Sequence, residues 1–336
     1  MQKFDKMDKK KFLILGRAGI DIFPHPPGTK TENAENFFSC LGGSAANIAV
    51  ALVNLGNKAS LLTTIADDAL GRFAINQLNK FHVDTSYVYR IGGESRLSLA
   101  VIESRVEDHQ SIIYRNGASD LKLNSKNIEL VDFSNFGCLI VTGTSLAIEP
   151  SRTATIEAIN SAKMEKIPIV FDIDYRPYTW LSKEEAAMTY SKIANCCDIV
   201  VGNDIEFDIM SGNKKNGLIF AKNLIQKDCL IVVYKMGENG SITFTKNNSF
   251  KTGIFPVNAL KPTGAGDAFM GAFINGIKLG KSVEESVKIG TASAAIVVTR
   301  VGCSVAMPNY EELIEFIESN SIINTNEVLN NAYSSI

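Results

Sequence analysis

Six short runs rich in Ile, Val and Leu punctuate the chain: FLIL (12–15), SLLTTI (60–65), CLIVTG (138–143), PIVFDI (168–173), DIVVG (198–202) and LIVVYK (230–235). In none of them do apolar and polar residues alternate cleanly, so a strand built from such a run must be covered on both faces. The covering layers are available, because helical patterns lie between many of the runs, at 44–55, 71–81, 151–163, 183–194 and 217–226. That order predicts an α/β fold with a doubly wound, mostly parallel sheet. With 336 residues, 45% of them hydrophobic, the chain can bury a substantial core without disulfide support.

Two regions break the alternation. Residues 23–40 contain three prolines, and within 87–115 the stretches RLSLAVIES and SIIYR alternate like half-exposed strands. They predict a small antiparallel sheet projecting from the core as a lid, with plain surface hairpins as the alternative. The main domain is expected over 11–320, mainly helical beyond Asp267, followed by a polar tail at 321–336.

Lys and Arg number 34 against 36 Asp and Glu, a net charge of −2 that gives no electrostatic reason to expect nucleic acid or an acidic membrane as partner. FLIL is too short for the apolar region of a signal peptide, and no run reaches the ~20 apolar residues of a membrane span. The six cysteines form no CxxC pair and read as reduced thiols of a cytoplasmic protein.

The chemistry concentrates in KPTGAGDAFMGAF (261–273), where Gly264, Ala265 and Gly266 precede an acid, Asp267, and an apolar helix expected to begin near Gly266. Small residues let backbone N–H groups approach an anion, and the helix adds the positive end of its dipole. The stretch is neither a Walker loop nor a dinucleotide fingerprint. Asp267 could simply cap the helix, or it could accept the proton of a hydroxyl attacking a phosphoryl group held by those N–H donors. Residues 261–273 alone leave both readings open.

LGGSAANIAVALVNLG (41–56) places Gly42 and Gly43 before a second apolar helix, with Asn47 one turn inside it. Together the two stretches resemble the paired signatures of the ribokinase, or PfkB, family of sugar kinases, a resemblance running from about residue 11 to residue 310. It implies a three-layer α/β/α core with a small β lid, and transfer of the γ-phosphoryl of ATP to a sugar hydroxyl. By this resemblance Asp267 is the base, and the N–H groups of Gly264, Ala265 and Gly266 stabilise the transferring phosphoryl. Asp21 in GRAGID would bind sugar hydroxyls, with Gly42, Gly43 and Asn47 as the floor of the sugar pocket. Asn203 and Glu206 match an NxxE motif that holds Mg2+, with Glu206 acting indirectly, while Lys235, Gly237 and Gly240 match a KxGxxG turn over the ATP phosphates. Residues 257–260 and 292–296 are expected to form the adenine pocket.

FDIDYRPYTW (171–180), with YRNGASDLKL (114–123), looks most like the 5-dehydro-2-deoxygluconokinases, which act on a terminal hydroxyl of a sugar acid in myo-inositol breakdown. Asp174 stands where Asn is usual in relatives. An anionic substrate needs a cation remote from the reacting hydroxyl, and Arg115, Arg176 and Arg96 are the candidates. Fructokinase, ribokinase and 2-dehydro-3-deoxygluconokinase activities are the alternatives, followed by an idle sugar-binding sensor on the same fold. Lys261 stands where many relatives carry an Asp that helps bind a monovalent cation. Its ammonium is expected either to replace that cation, removing the need for potassium, or to point to solvent. An exposed lid sheet would also offer an edge for a homodimer.

Overall fold

The structure, a computed structural model, describes residues 2–7, 10–212 and 216–324. Residues 325–336 of the expected tail lie outside them. Among the described residues thirteen strands form in chain order: β1 (Lys11–Leu15), β2 (Gly19–His25), β3 (Asn36–Gly42), β4 (Ala59–Ala66), β5 (Val88–Ile91), β6 (Ser98–Ile102), β7 (Ser111–Tyr114), β8 (Phe136–Thr142), β9 (Ile169–Asp172), β10 (Ile199–Asn203), β11 (Ile231–Lys235), β12 (Ser241–Thr245) and β13 (Ser249–Thr252).

Nine of them make one sheet in the order β13-β12-β11-β10-β9-β8-β1-β4-β5. It is parallel from β5 through β11, and β12 and β13 add antiparallel at the far edge. Successive side chains of a strand leave opposite faces, and β1 shows what this does to the core. Phe12 and Ile14 join an apolar cluster with the helices Ser44–Asn54, Ala69–Lys80 and Ala265–Lys278. Leu13 and Leu15 join a second cluster with Ser151–Met164, Lys183–Ala194 and Gly217–Gln226. The two clusters are the faces of one sheet, which is the three-layer fold expected.

The remaining four strands form a small sheet, β3-β2-β6-β7, with β2–β3 and β6–β7 antiparallel and β2–β6 parallel. It differs from the expectation in two ways. The small sheet begins at Gly19 and runs to Gly42, beyond the 23–40 bounds expected, because β2 and β3 stay paired to the Gly19–Gly42 register. Val88–Ile91, expected in the lid, pairs parallel with Thr63–Ala66 and closes the edge of the large sheet. No helix among the described residues is long and apolar enough to cross a membrane.

The chain passes from β1 to β2 through Gly16–Ala18 and returns from β3 to the helix Ser44–Asn54 through Gly43 alone. Both junctions touch: Gly43 has φ 97°, and a Cβ there would lie 2.4 Å from the carbonyl oxygen of Arg17. The hinge between the sheets is therefore a close backbone contact at the end of β1.

Candidate active site

Strands β1 and β8 to β11 run parallel, so their carboxyl ends share one edge, where α/β sheets bind ligands. Asp172 ends β9, Asn203 ends β10 and Lys235 ends β11, with Asn203 paired to Lys235 and Asp172 to Val201. The loop after β1 adds Arg17, and β2 adds Asp21. Asn47 and Asp267 come from two helices that cross closely, since a Cβ on Gly271 would lie 2.5 Å from that of Ala51. This approach sets a hydrogen bond of 2.8 Å from Asn47 Nδ2 to Asp267 Oδ2.

The capping reading of Asp267 is overturned. The helix Ala265–Lys278 has Gly264 as its N-cap, at φ 89° and with no side-chain cap, which leaves Asp267 in the first turn. Gly264 takes the left-handed conformation that a β-carbon would strain, and the N–H groups of the first turn remain open to a ligand. Lys235 stands over them: its Nζ lies 3.4 Å from where a Cβ on Gly266 would be, and 5.5 Å from the centre of the Phe269 ring. A helix terminus and an ammonium placed together suit an anionic group. Burial first, then the charge of Asp174, pushes the Asp267 carboxyl up to about 7, against the Asn47 hydrogen bond. A carboxyl in that range is matched to proton abstraction near neutral pH.

Asp21 is buried, and burial raises its carboxyl above the ordinary range although Arg17 opposes the shift. Its Oδ1 and the Oδ1 of Asn47 are sealed from solvent without a hydrogen-bond partner. Buried acceptors left without a partner are what a polyhydroxylated ligand could satisfy. Gly42 makes room for the first, since a Cβ there would lie 2.0 Å from Asp21 Oδ1. Asp174 is held differently, accepting from Ser44 Oγ at 2.6 Å and pairing with Arg176 Nη2 at 2.6 Å. Burial works to raise its carboxyl, but Arg176, Ser44 and Arg17 outweigh it and keep the group below the usual range. Asp172, buried beside Lys235, Asp174 and Glu206, is raised well above the ordinary range, burial being the main cause.

Asn203 and Glu206 form a capping box: Asn203 Oδ1 accepts from the Glu206 N–H at 2.9 Å, and Glu206 Oε2 accepts from the Asn203 N–H at 2.7 Å. Glu206 Oε1 accepts from the Tyr175 N–H at 3.0 Å, so both oxygens already hold backbone. That fits an ion reached through water. Gly237 and Gly240, at φ 57° and 78°, turn the chain from β11 to β12 beside Lys235. Val257 packs against the apolar cluster that contains Ala292, Ala295 and Ile296, so the two expected adenine segments border one cluster.

Arg115 and Arg96 are placed otherwise than expected, and for Lys261 the solvent-facing alternative does not hold. Arg115 is not available to a substrate: it is buried, its Nε and Nη2 donate to Asp120 Oδ2, and its Nη1 donates to the Thr144 carbonyl at 2.9 Å. A buried guanidinium needs such a partner, and Asp120 lies only five residues on. Arg96 is exposed and donates to the carbonyls of Gly93 and Ser95. Lys261 does not reach solvent. It is fully buried, and its Nζ donates to the carbonyls of Thr263 at 2.5 Å and Val297 at 3.4 Å. Burial lowers the pKa of this ammonium, opposed by Cys303 and Asp21.

The family model for pfkB family carbohydrate kinases matches residues 9–309. The chain belongs to this family. Among its relatives, this pfkB kinase is 38% identical over 322 residues to the 5-dehydro-2-deoxygluconokinase of Clostridium tetani, covering 94% of this chain and 95% of that protein. The 5-dehydro-2-deoxygluconokinase of Geobacillus kaustophilus is 37% identical over 320 residues, with 94% and 96% covered. In structure, the pfkB kinase resembles an ATP-bound fructokinase from Xylella fastidiosa at a TM-score of 0.82 and 22% identity, over 92% of this chain and 99% of that one. A putative ribokinase II from E. coli with ATP and Mg+2 gives the same TM-score at 21% identity and the same coverage.

The site contains residues that the sequence motifs did not single out, namely Arg17, Ser44 and Asp172. Each adjoins a motif residue, in GRAGID, LGGSAAN and FDIDYRP, and that adjacency is the signal by which they could have been found.

Proposed function

We propose that this pfkB kinase transfers the γ-phosphoryl group of ATP to the terminal hydroxyl of 5-dehydro-2-deoxy-D-gluconate. The observation that carries the base assignment is the Asn47–Asp267 hydrogen bond, which holds an uncapping, unpaired carboxylate beside the open N–H groups at 264–266. The names of the relatives support the sugar acid. The orphaned oxygens of Asp21 and Asn47 would accept from the substrate's hydroxyls. As the terminal oxygen attacks the γ-phosphorus, its proton passes to Asp267, and the bond to the leaving ADP oxygen breaks. The N–H groups of Gly264, Ala265 and Gly266 and the ammonium of Lys235 take up charge on the moving phosphoryl, where most of the catalytic effect lies.

Mg2+ carried with the nucleotide would neutralise charge on its phosphates. Asn203 and Glu206 would hold it through water, because both Glu206 oxygens bind backbone. Residues 257–260 and 292–296 would receive the adenine, and the turn at Gly237 and Gly240 would cover the phosphates. Lys261 takes the place of a monovalent cation. Its ammonium engages carbonyl oxygens beside the phosphoryl site, the ligand type such an ion would use, so turnover should not need potassium. The small sheet serves as a lid, and the exposed Phe37, Phe38, Ile112 and Tyr114 on its edge strands offer a surface for a second copy of the chain.

The test is ATP-dependent phosphorylation across 5-dehydro-2-deoxy-D-gluconate, 2-dehydro-3-deoxy-D-gluconate, fructose and ribose. The first is expected to give the highest kcat/KM. A preference for fructose would remove the substrate assignment and leave the kinase.

A further inference from the structure

We infer that Arg17 is the specificity-determining cation of this site, binding the substrate's carboxylate at the end of the pocket remote from Asp267. This rests on the sugar-acid reading above. Three arginines approach Asp174, and two are already committed. Arg176 pairs with Asp174 itself, and Arg115 gives three of its nitrogens to Asp120 and Thr144. Arg17 is buried at 7% exposure, yet among the described residues its guanidinium donates one hydrogen bond, to the neutral hydroxyl of Ser98 at 3.1 Å. It makes no ion pair there within 4.0 Å, although Asp21 and Asp174 both feel its charge.

A buried guanidinium with no carboxylate on it is an expensive arrangement unless a ligand completes it. The remaining nitrogens of Arg17 are not among the sealed, partnerless atoms, whereas Asp21 Oδ1 is. They therefore keep some contact with solvent. The backbone fixes where. Gly19 lets Arg17 Nη1 come to 2.9 Å from the position a Cβ would occupy, and Gly43 locks against the Arg17 carbonyl. The guanidinium is thus anchored at the hinge between the two sheets, beside Asp21. A substrate bridging Asp21 by its hydroxyls and Arg17 by its carboxylate would satisfy both side chains and draw the small sheet, through Ser98 on β6, toward the core.

The experiment compares kcat/KM for 5-dehydro-2-deoxy-D-gluconate with that for its methyl ester, in wild type, Arg17→Met, Arg17→Lys and Arg176→Met. Losing a charge-assisted bidentate contact should lower the acid-to-ester ratio about 10²-fold in Arg17→Met, through KM for the acid. Arg17→Lys keeps the charge without the planar fork and should lower it by about tenfold. It also decides the matter if the Met variant does not fold. An equal fall for acid and ester in either variant, or a larger fall of the ratio in Arg176→Met, would overturn the assignment. A wild type that does not prefer the acid to the ester would instead overturn the sugar-acid reading on which it stands.

Discussion

Replacing Asp267 by Asn should stabilise the protein, and only above the acid range. Burial and the charge of Asp174 carry this carboxyl from its ordinary 3.8 to about 7, which corresponds to roughly 4 kcal/mol. The residue is only partly buried, so water screens the charge and about 2 kcal/mol is the effect expected. Its sign follows from proton counting. Between about pH 4 and pH 7 the folded chain holds the Asp267 proton and the unfolded chain does not, so wild-type stability falls as pH rises. Above pH 7 the penalty is complete. Asn keeps an acceptor and the shape without the charge. Urea unfolding of wild type and Asp267→Asn, free of nucleotide, should give equal stabilities near pH 4 and a gap of about 2 kcal/mol in favour of Asn at pH 8. A gap independent of pH, or a variant less stable at pH 8, would show that the charge on Asp267 carries no such penalty.

Three further outcomes follow from the same geometry. Wild-type turnover should be unchanged when potassium is replaced by a non-activating ion at constant ionic strength, while Lys261→Asp should lose activity and recover part of it with added potassium; a severalfold dependence in wild type would contradict the role given to Lys261. Arg115→Met should unfold at lower urea, by about 3–5 kcal/mol, because it strands the buried carboxylate of Asp120; unchanged stability would show that the pair holds nothing. Asn47→Ala removes the hydrogen bond that lowers the Asp267 pKa, so the acid limb of the pH–rate profile should move above its wild-type midpoint, and a move to lower pH would be inconsistent with the bond.

The large sheet was legible because its strands are apolar on both faces: FLIL, CLIVTG and LIVVYK can lie only between two helical layers. The small sheet was legible as a departure from that pattern, but its edges were not. VYRI at 88–91 is short and half-buried wherever it pairs, and only its register with Thr63–Ala66 assigns it to the large sheet. The glycine turn and its acid were readable as chemistry, since few uses exist for an acid beside open N–H groups. What stayed hidden was the pairing of charges. Ser44 meets Asp174 across 130 residues of sequence, and no local pattern reports that Arg115 is spent on Asp120 while Arg17 keeps its donors. Nothing local chose between the two expectations for Lys261, because its burial depends on the Val297 carbonyl of a helix 36 residues away.

In the proposed reaction Asp267 takes the proton of the substrate hydroxyl as the phosphoryl group moves. Single-turnover transfer from ATP to 5-dehydro-2-deoxy-D-gluconate in Asp267→Asn, with substrate and nucleotide affinities measured by calorimetry, tests it directly. Both ligands should bind as in wild type, and transfer should slow by about 10²–10⁴-fold. Transfer at the wild-type rate with unchanged affinities would contradict it.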